Sequence, residues 1–304
     1  MRIAICVATY RRNDGLASAL EGIAGQQLPV GLAQGLSVLV VDNNAKGDAR
    51  TVVETRRAAY PWPLAYVHEP RQGLSRARNA ALDNSDGADF IAFLDDDEVP
   101  QPDWLLRLAE IQQLYAADVV AGPVLPSFRQ APPAWLAAGR FLEPERHPDG
   151  APLATAYAGN VLFRRALVVR LGLRFDDALG QIGGEDVDFF DRMARAGATL
   201  RYCNNAVAHE AVPPERMRLG WLLRRWFRTG NSDGILFMDR HAGRLGRLAV
   251  LGRGLIRLGL GSVAVLVTLP FGRRHWMIAR LYTVARGLGM ICSACRIHYY
   301  EYAQ

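Results

Sequence analysis

Short apolar runs alternating with amphipathic stretches set the pattern of this chain. Residues 2–8 form the first run, apolar throughout after Arg2, as expected of a strand buried on both faces. Thr9, Tyr10, Arg11 and Arg12 follow it as a polar loop. Asp14 then stands where a helix cap is favoured, ahead of Leu16, Leu20 and Ile23 at helical spacing. A second buried run, 36–41, ends in Asp42-Asn43-Asn44. Residues 50–60 read as a helix and 64–67 as a third strand. Gly73 to Asn79 opens another helix with Ser75 as its expected cap, 90–94 is a fourth strand, and a helix runs from Pro102 to about 115. Strands alternating with helices predict a mostly parallel, doubly wound α/β sheet.

The second half is less regular. Residues 123–152 are proline-rich and carry Trp135, which predicts an ordered loop over the site. Residues 155–163 read as a strand containing Gly159-Asn160. Gly183-Gly184 makes a turn into a helix that begins at Glu185-Asp186 and ends near Gly197. A last strand is expected at 199–202, with His209 in a following loop.

Three of the strands end in polar groups: Thr9 and Tyr10, Asp42, and Asp95-Asp96-Asp97-Glu98. Ligands of open α/β sheets bind beyond the carboxyl ends of the strands, so these ends predict one shared nucleotide site. Four adjacent carboxylates repel one another and resist unpaired burial. A divalent cation resolves that conflict, because hard oxygen ligands suit magnesium or manganese. The rival reading is a solvated acidic turn.

Composition and charge narrow the picture. The chain has 304 residues, half of them hydrophobic, enough for one large α/β domain and an appendage. Residues 1–215 carry 21 basic and 27 acidic groups, whereas 216–304 carry 15 basic groups, all Arg, against 3 acidic ones. An acidic body and a basic tail predict a polyanionic surface for the tail. Lys46 is the only lysine, which argues against a Walker-type loop or Schiff-base chemistry. Cys292 and Cys295 form a lone CxxC without a second pair, so no zinc site is expected, and scattered cysteines fit a reducing compartment. The first strand starts at once, leaving no room for a signal peptide.

The motifs VATYRR, VVDNN, GLSRARNAAL, FLDDDEVPQPDW and GEDVDFF with RMARAG, in this order, followed by His209, resemble those of inverting glycosyltransferases of family 2 with the GT-A fold. GNVLFRR, GGEDVDFF, AHEAVP and RRWFRTG are most similar to bacterial exopolysaccharide glucosyltransferases of the succinoglycan type. The resemblance covers residues 2 to about 230. It implies that Asp97 ligates the metal, Mn2+ or Mg2+, that Asp95 contacts ribose or metal-bound water, and that Asp96 and Glu98 support them. It implies that Asp42 accepts from the uracil N–H, that Thr9, Tyr10 and Arg11 flank the uridine, and that Arg76 reaches base or diphosphate. The rival for Arg76 and Arg78 is solvent-facing helix charge. Asp186 is the implied catalytic base, Glu185 an acceptor contact and His209 a third metal ligand, against a purely structural histidine.

Trp221, Arg225, Trp226 and Arg228 form an aromatic and basic cluster suited to acceptor or diphosphate, since arginine pairs bidentately with phosphate. Processive relatives carry Gln-x-x-Arg-Trp there; Leu222 replaces the glutamine here, which favours a single sugar transfer. The rival is an ordinary amphipathic helix. The apolar run 258–271 is shorter than a bilayer span, and arginines flank it and the amphipathic stretch 276–292. Such segments predict a helix lying in the interface of an anionic membrane, or else a hairpin packed on the protein.

The expectation is therefore a GT-A catalytic domain, 1–230, and a helical, basic extension, 231–304. It would sit at the cytoplasmic face of a bacterial inner membrane, peripheral or monotopic, and move glucose in β linkage from UDP-glucose to a polyprenyl-diphosphate oligosaccharide, with no nucleic-acid partner. The rivals are a nucleotidyltransferase, which would release pyrophosphate, and a non-catalytic scaffold that binds sugar nucleotide without transfer.

Overall fold

The computed structural model describes residues 1–180 and 182–300. Internal contacts divide the chain into two units. The first, residues 1–127, 144–180 and 185–211, runs β1 (Ile3–Thr9), α1 (Asn13–Ala24), α2 (Val30–Ala33), β2 (Leu36–Asp42), α3 (Arg50–Arg57), β3 (Leu64–His68), α4 (Leu74–Asp83), β4 (Phe90–Asp95), β5 (Glu98–Pro100), α5 (Trp104–Tyr115), β6 (Val119–Ala121) and β7 (Val124–Ser127). After α6 (Ala134–Gly139), which belongs to the second unit, it continues with β8 (Asn160–Arg164), α7 (Arg165–Leu171), α8 (Glu185–Arg195), β9 (Leu200–Tyr202) and β10 (Ala208–Ala211).

Seven strands form one sheet in the order β3-β2-β1-β4-β8-β6-β9. β1, β2, β3 and β4 are parallel, as is the β6–β9 pair, while β8 runs antiparallel to both β4 and β6. The mostly parallel sheet is as expected; the reversed β8 is not visible in periodicity, which carries no strand direction. The central strands bury both faces. On β1, Ile3, Ile5 and Val7 join one core with α1 and α5 residues Leu16, Leu20 and Trp104, while Ala4 and Cys6 join another with Ala77, Phe175 and Phe189. β5, β10 and β7 form a separate three-stranded sheet. It was hidden in the sequence, because three or four residues are too few to show an alternation. His209, expected in a loop, sits in β10.

Two glycines permit close approaches that shape the site. A Cβ on Gly15 of α1 would lie 2.7 Å from the Asp96 carbonyl oxygen, and one on Gly159 would lie 2.5 Å from Glu98 Oε1. The expected cap Ser75 does not cap α4: the helix starts after Gly73, and Ser75 Oγ donates to the Asp176 carbonyl at 2.7 Å.

The second unit, residues 128–143, 181–184 and 212–304, holds α6, α9 (Leu219–Arg240), α10 (Arg244–Thr268) and α11 (Arg274–Ala294). The proline-rich stretch thus contains a strand and a helix rather than only a loop. α9 passes unbroken through the boundary expected at 230, and the expected extension ends in residues 301–304, outside those described. α10 absorbs the apolar run expected at 258–271 into a 25-residue helix.

Candidate active site

Register places the polar strand ends at one level. Thr9 on β1 pairs with Asp42 on β2, and Ala8 pairs with Asp95 on β4. An open groove of about 740 Å³ at this edge is lined by Arg11, Arg12, Asn13, Asn44, Lys46 and Asp48.

The turn after β4 is tied to the loop after β1. Thr9 Oγ1 donates to Asp96 Oδ2 at 2.8 Å, and the Tyr10 N–H donates to the same oxygen at 3.4 Å. Arg12 Nη1 donates to Asp96 Oδ1 at 3.1 Å and to Asp97 Oδ2 at 2.6 Å. Burial raises the Asp96 carboxyl to about 6, against the lowering effect of Arg12 and the Thr9 hydrogen bond. Glu98 Oε2 accepts from the Asp95 N–H at 3.2 Å. Burial, then the Asp95 charge, pushes Glu98 well above the usual carboxylate range. Asp95 is also raised, by burial first, with Asp97, Asp186 and Glu210 adding repulsion and Arg78 opposing.

One buried guanidinium connects this turn to α8. Arg78 Nη1 donates to Glu185 Oε1 at 2.6 Å, Nη2 lies 3.5 Å from Asp95 Oδ1, and the Arg78 and Glu185 side chains are each only 5 % exposed. Burial raises the Glu185 carboxyl to about 7, with Asp186 raising it further and Arg78 lowering it. Asp186 Oδ1 accepts its neighbour's Val187 N–H at 2.8 Å, and Oδ2 accepts from the Ala158 N–H at 3.3 Å. Asp186 is half-buried, and its charge acts on Asp95.

Asp95, Asp96, Asp97, Glu185 and Asp186 are thus brought together, along with Thr9 and Tyr10. Other expected residues stand elsewhere. Asp42 has no exposed surface: its carboxylate accepts from Asn44 N–H, Ala49 N–H and the Tyr66 hydroxyl at 2.9, 2.9 and 3.0 Å. It organises the loop after β2 rather than presenting an acceptor to a base. His209 is opposite Val99 in the β5–β10 ladder, and the Gln101 amide meets its Nε2 at 3.2 Å. Its neighbour Glu210 is opposite Glu98 and repels Asp95 and Glu98 electrostatically. Successive residues of a strand face opposite ways, so Glu210, not His209, turns toward the acidic turn. Arg76 pairs on the surface with Asp177 at 3.0 Å. Arg11 is exposed, has a left-handed φ of 56°, and places its guanidinium 5.0 Å from the Tyr10 ring centroid.

Sequence motifs assign no site role to Arg12 or Glu210, and the solvent-facing alternative for Arg78 is overturned by its burial, with 5 % of its side chain exposed. Arg78 had a signal: it shares the buried stripe of α4 with Ser75, Ala81 and Leu82. In the second unit, Trp226 is a core residue, 7 % exposed, edge-on to Phe141 and Tyr282 at 5.7 and 5.4 Å. Arg225 lies over the Trp221 ring at 5.3 Å, and Arg228 Nη1 lies 3.1 Å from where a Cβ of Gly183 would be.

Among the described residues no three His, Cys, Asp or Glu side chains form a ready cage for a metal. The donors near Asp95 are nevertheless all carboxylate oxygens, which repel one another and have the Arg12 and Arg78 guanidinium groups as neighbours. Magnesium is commonly held by one or two carboxylates together with substrate phosphates, so this donor set fits a cation that a diphosphate completes.

The sequence profile of the Glycosyl transferase family 2 family matches residues 4–172. The chain is 41% identical over 243 residues, 80% of its length and 77% of the relative's, to the succinoglycan biosynthesis protein ExoM of Rhizobium meliloti (strain 1021). It is 26% identical over 240 residues to the glycosyltransferase AglE of Haloferax volcanii, covering 78% of this chain and 75% of that one. Among solved structures, the mannosyltransferase PcManGT from Pyrobaculum calidifontis, in complex with GDP-Man and Mn2+, superposes with a TM-score of 0.62 at 19% identity, over 94% of this chain and 85% of that one. S. aureus TarS 1-349, in complex with UDP-GlcNAc, gives 0.57 at 17% identity, over 94% and 90%. These two likenesses carry the GT-A fold. With the profile matched over more than half of its length and a relative at 41% identity across four fifths of it, the chain belongs to glycosyl transferase family 2.

Proposed function

We propose that this glycosyltransferase moves one sugar, glucose in β linkage, with inversion from a UDP-sugar to a polyprenyl-diphosphate-linked oligosaccharide during bacterial exopolysaccharide assembly, at the cytoplasmic face of the inner membrane. The observation that carries the reading is the Arg78 bridge, which holds Glu185, and with it Asp186, against Asp95. The 41% identity to a succinoglycan biosynthesis protein supports the pathway class. UDP-GlcNAc in the TarS neighbour supports a UDP-sugar donor. Family membership leaves the nucleotidyltransferase and scaffold readings without support.

Asp186 takes the proton of the acceptor hydroxyl as its oxygen attacks the anomeric carbon and the UDP oxygen departs. A proton acceptor this close to Asp95, and half open to solvent, meets the need for a base beside the donor sugar. Glu185, fixed by Arg78, holds the first turn of α8 in place. Arg11 lines the groove proposed for the uridine, Thr9 and Tyr10 tie the loop beside it to Asp96, and Asp42 keeps the loop after β2 in shape. A divalent cation, Mn2+ or Mg2+, held by Asp95 and Asp97, would offset the negative charge that grows on the leaving diphosphate. In the second unit, Trp221, Arg225 and Arg228 on one side of α9 are the proposed contacts for a phosphate of donor or acceptor. The C-terminal helices are proposed to bind the membrane surface.

The test is transfer from a panel of radiolabelled UDP-sugars to lipid-linked acceptors, followed by the anomeric configuration of the product. One labelled, inverted product is expected. A retained configuration, or no transfer from any UDP-sugar, would sink the proposal.

A further inference from the structure

α10 is long and apolar enough to cross a membrane: the stretch Arg244–Phe271 passes by length and composition. Its packing argues for a different placement. One face carries Gly246, Val250, Gly254 and Gly261, all buried. Gly254 and Gly261 meet α11 so closely that an added Cβ would come within 2.7 Å of Ile291 and 2.8 Å of Val284. Arg247 Nε donates to the Ala294 carbonyl on the same side. α10 therefore runs antiparallel along α11, locked by glycine.

The opposite face is open along the whole helix. Leu248, Leu255, Ile256, Leu260, Val263 and Leu266 are 53 to 67 % exposed. At 100° per residue they fall within one stripe with Arg244 and Arg253 along its margins, while Arg247 and Arg257 turn toward the glycine face and α11. From residue 240 to 300 the chain has no acidic residue. Two copies meeting through these faces would set arginine rims against each other, whereas an anionic lipid surface complements them.

α11 also runs alongside α9, in parallel. Trp226 faces Tyr282, Asp233 pairs with Arg286, and Gly234 faces Ser293. α9 carries Arg224, Arg225, Arg228, Asp233, Asp239 and Arg240. With the three helices side by side, α10 could not stand across a bilayer without drawing those charges in with it, and charged groups are among the costliest there. Lying flat, α10 keeps its arginines at the headgroups and sinks its open face into the acyl boundary. Trp276, 6.2 Å from Phe271 and under the Arg273 guanidinium at 4.6 Å, closes the stripe with an interfacial anchor.

We infer that α10 is an in-plane membrane helix, its Leu248-to-Leu266 face immersed in the leaflet and its full length of about 37 Å parallel to the surface. The inference rests on the membrane-associated reading above and specifies its contact surface. The chain with Cys292→Ser and Cys295→Ser is labelled with an environment-sensitive fluorophore at Leu245→Cys, Ile256→Cys or Val267→Cys, bound to phosphatidylglycerol vesicles, and probed with depth-dependent quenchers. Equal, shallow depths at the three sites are expected. A deepest label at 256 would show crossing and overturn the inference; labels shielded from lipid in a concentration-dependent dimer would also overturn it. Ile256→Glu combined with Val263→Glu, both on the open face, should lower binding to these vesicles at least about tenfold, because one lost aliphatic burial already forfeits that much. Unchanged binding, or no binding by the parent chain, would count against the inference. Transfer to a detergent-solubilised acceptor should persist in this double variant; absence of transfer by the parent chain itself would sink the catalytic reading while leaving the depth result standing.

Discussion

At the scale of residues, the site is organised by one buried arginine. Arg78 faces two carboxylates on different elements, and its side chain is almost wholly removed from water. Removing it leaves Glu185 buried and uncompensated, so Arg78→Met should cost about 3–5 kcal/mol in denaturant unfolding. Adding Glu185→Gln should return part of that loss, because the stranded charge goes with it. Recovery absent from the double variant would mean that Arg78 stabilises through packing instead. Asp186→Asn removes the proposed proton acceptor while keeping its shape. Turnover should fall about 10²–10⁴-fold with UDP affinity nearly unchanged in titration calorimetry, and wild-type turnover would refute the assignment. The general motifs around both residues were legible. The roles of Asp42 and His209 were not, because a motif names a strand end without saying whether its side chain points into the protein or out of it. Burial answers for Asp42, and strand alternation for His209.

At the scale of elements, the acidic turn depends on how closely α1 approaches it. Gly15 leaves room for the Asp96 carbonyl, and Gly22 does the same for Pro100. Gly15→Ala should therefore cost about 1–3 kcal/mol through overpacking, read as a lowered unfolding midpoint. A neutral result would show that α1 shifts freely. α1 itself was predictable from Leu16, Leu20 and Ile23, but its tight docking through small residues was not, since glycine reads in sequence as a weak helix position. The strands β5, β7 and β10 were missed for a related reason: only their mutual pairing makes them strands.

For the whole molecule, the acidic cluster sets how stability follows pH. Asp95, Asp96, Glu98 and Glu185 all hold their protons more tightly when folded than the usual carboxylate, chiefly because of burial. The folded state thus binds more protons than the unfolded one, and these groups stabilise below the ordinary carboxylate range. That contribution is lost as pH rises through about 6 for Asp96 and about 7 for Glu185. Melting without added metal should show a falling midpoint between about pH 5 and 7.5. Mn2+ with UDP should raise the midpoint, and more so at the higher pH, since the cation needs the carboxylates ionised. A midpoint that rises with pH, or a metal effect independent of pH, would contradict this account.

Hydrophobic periodicity alone settled the α/β alternation, the buried central strands and the ends where chemistry would gather, because a strand buried on both faces and an amphipathic helix each impose a local repeat on the residues that form them. The distribution of charged residues, counted rather than read from periodicity, separated an acidic body from an arginine-rich tail. Which carboxylates meet, which arginine joins them, that Trp226 is core, and that α10 turns a complete apolar face outward were decided by tertiary packing. Those properties depend on neighbours far along the chain, and on which side of each element the rest of the molecule comes to cover.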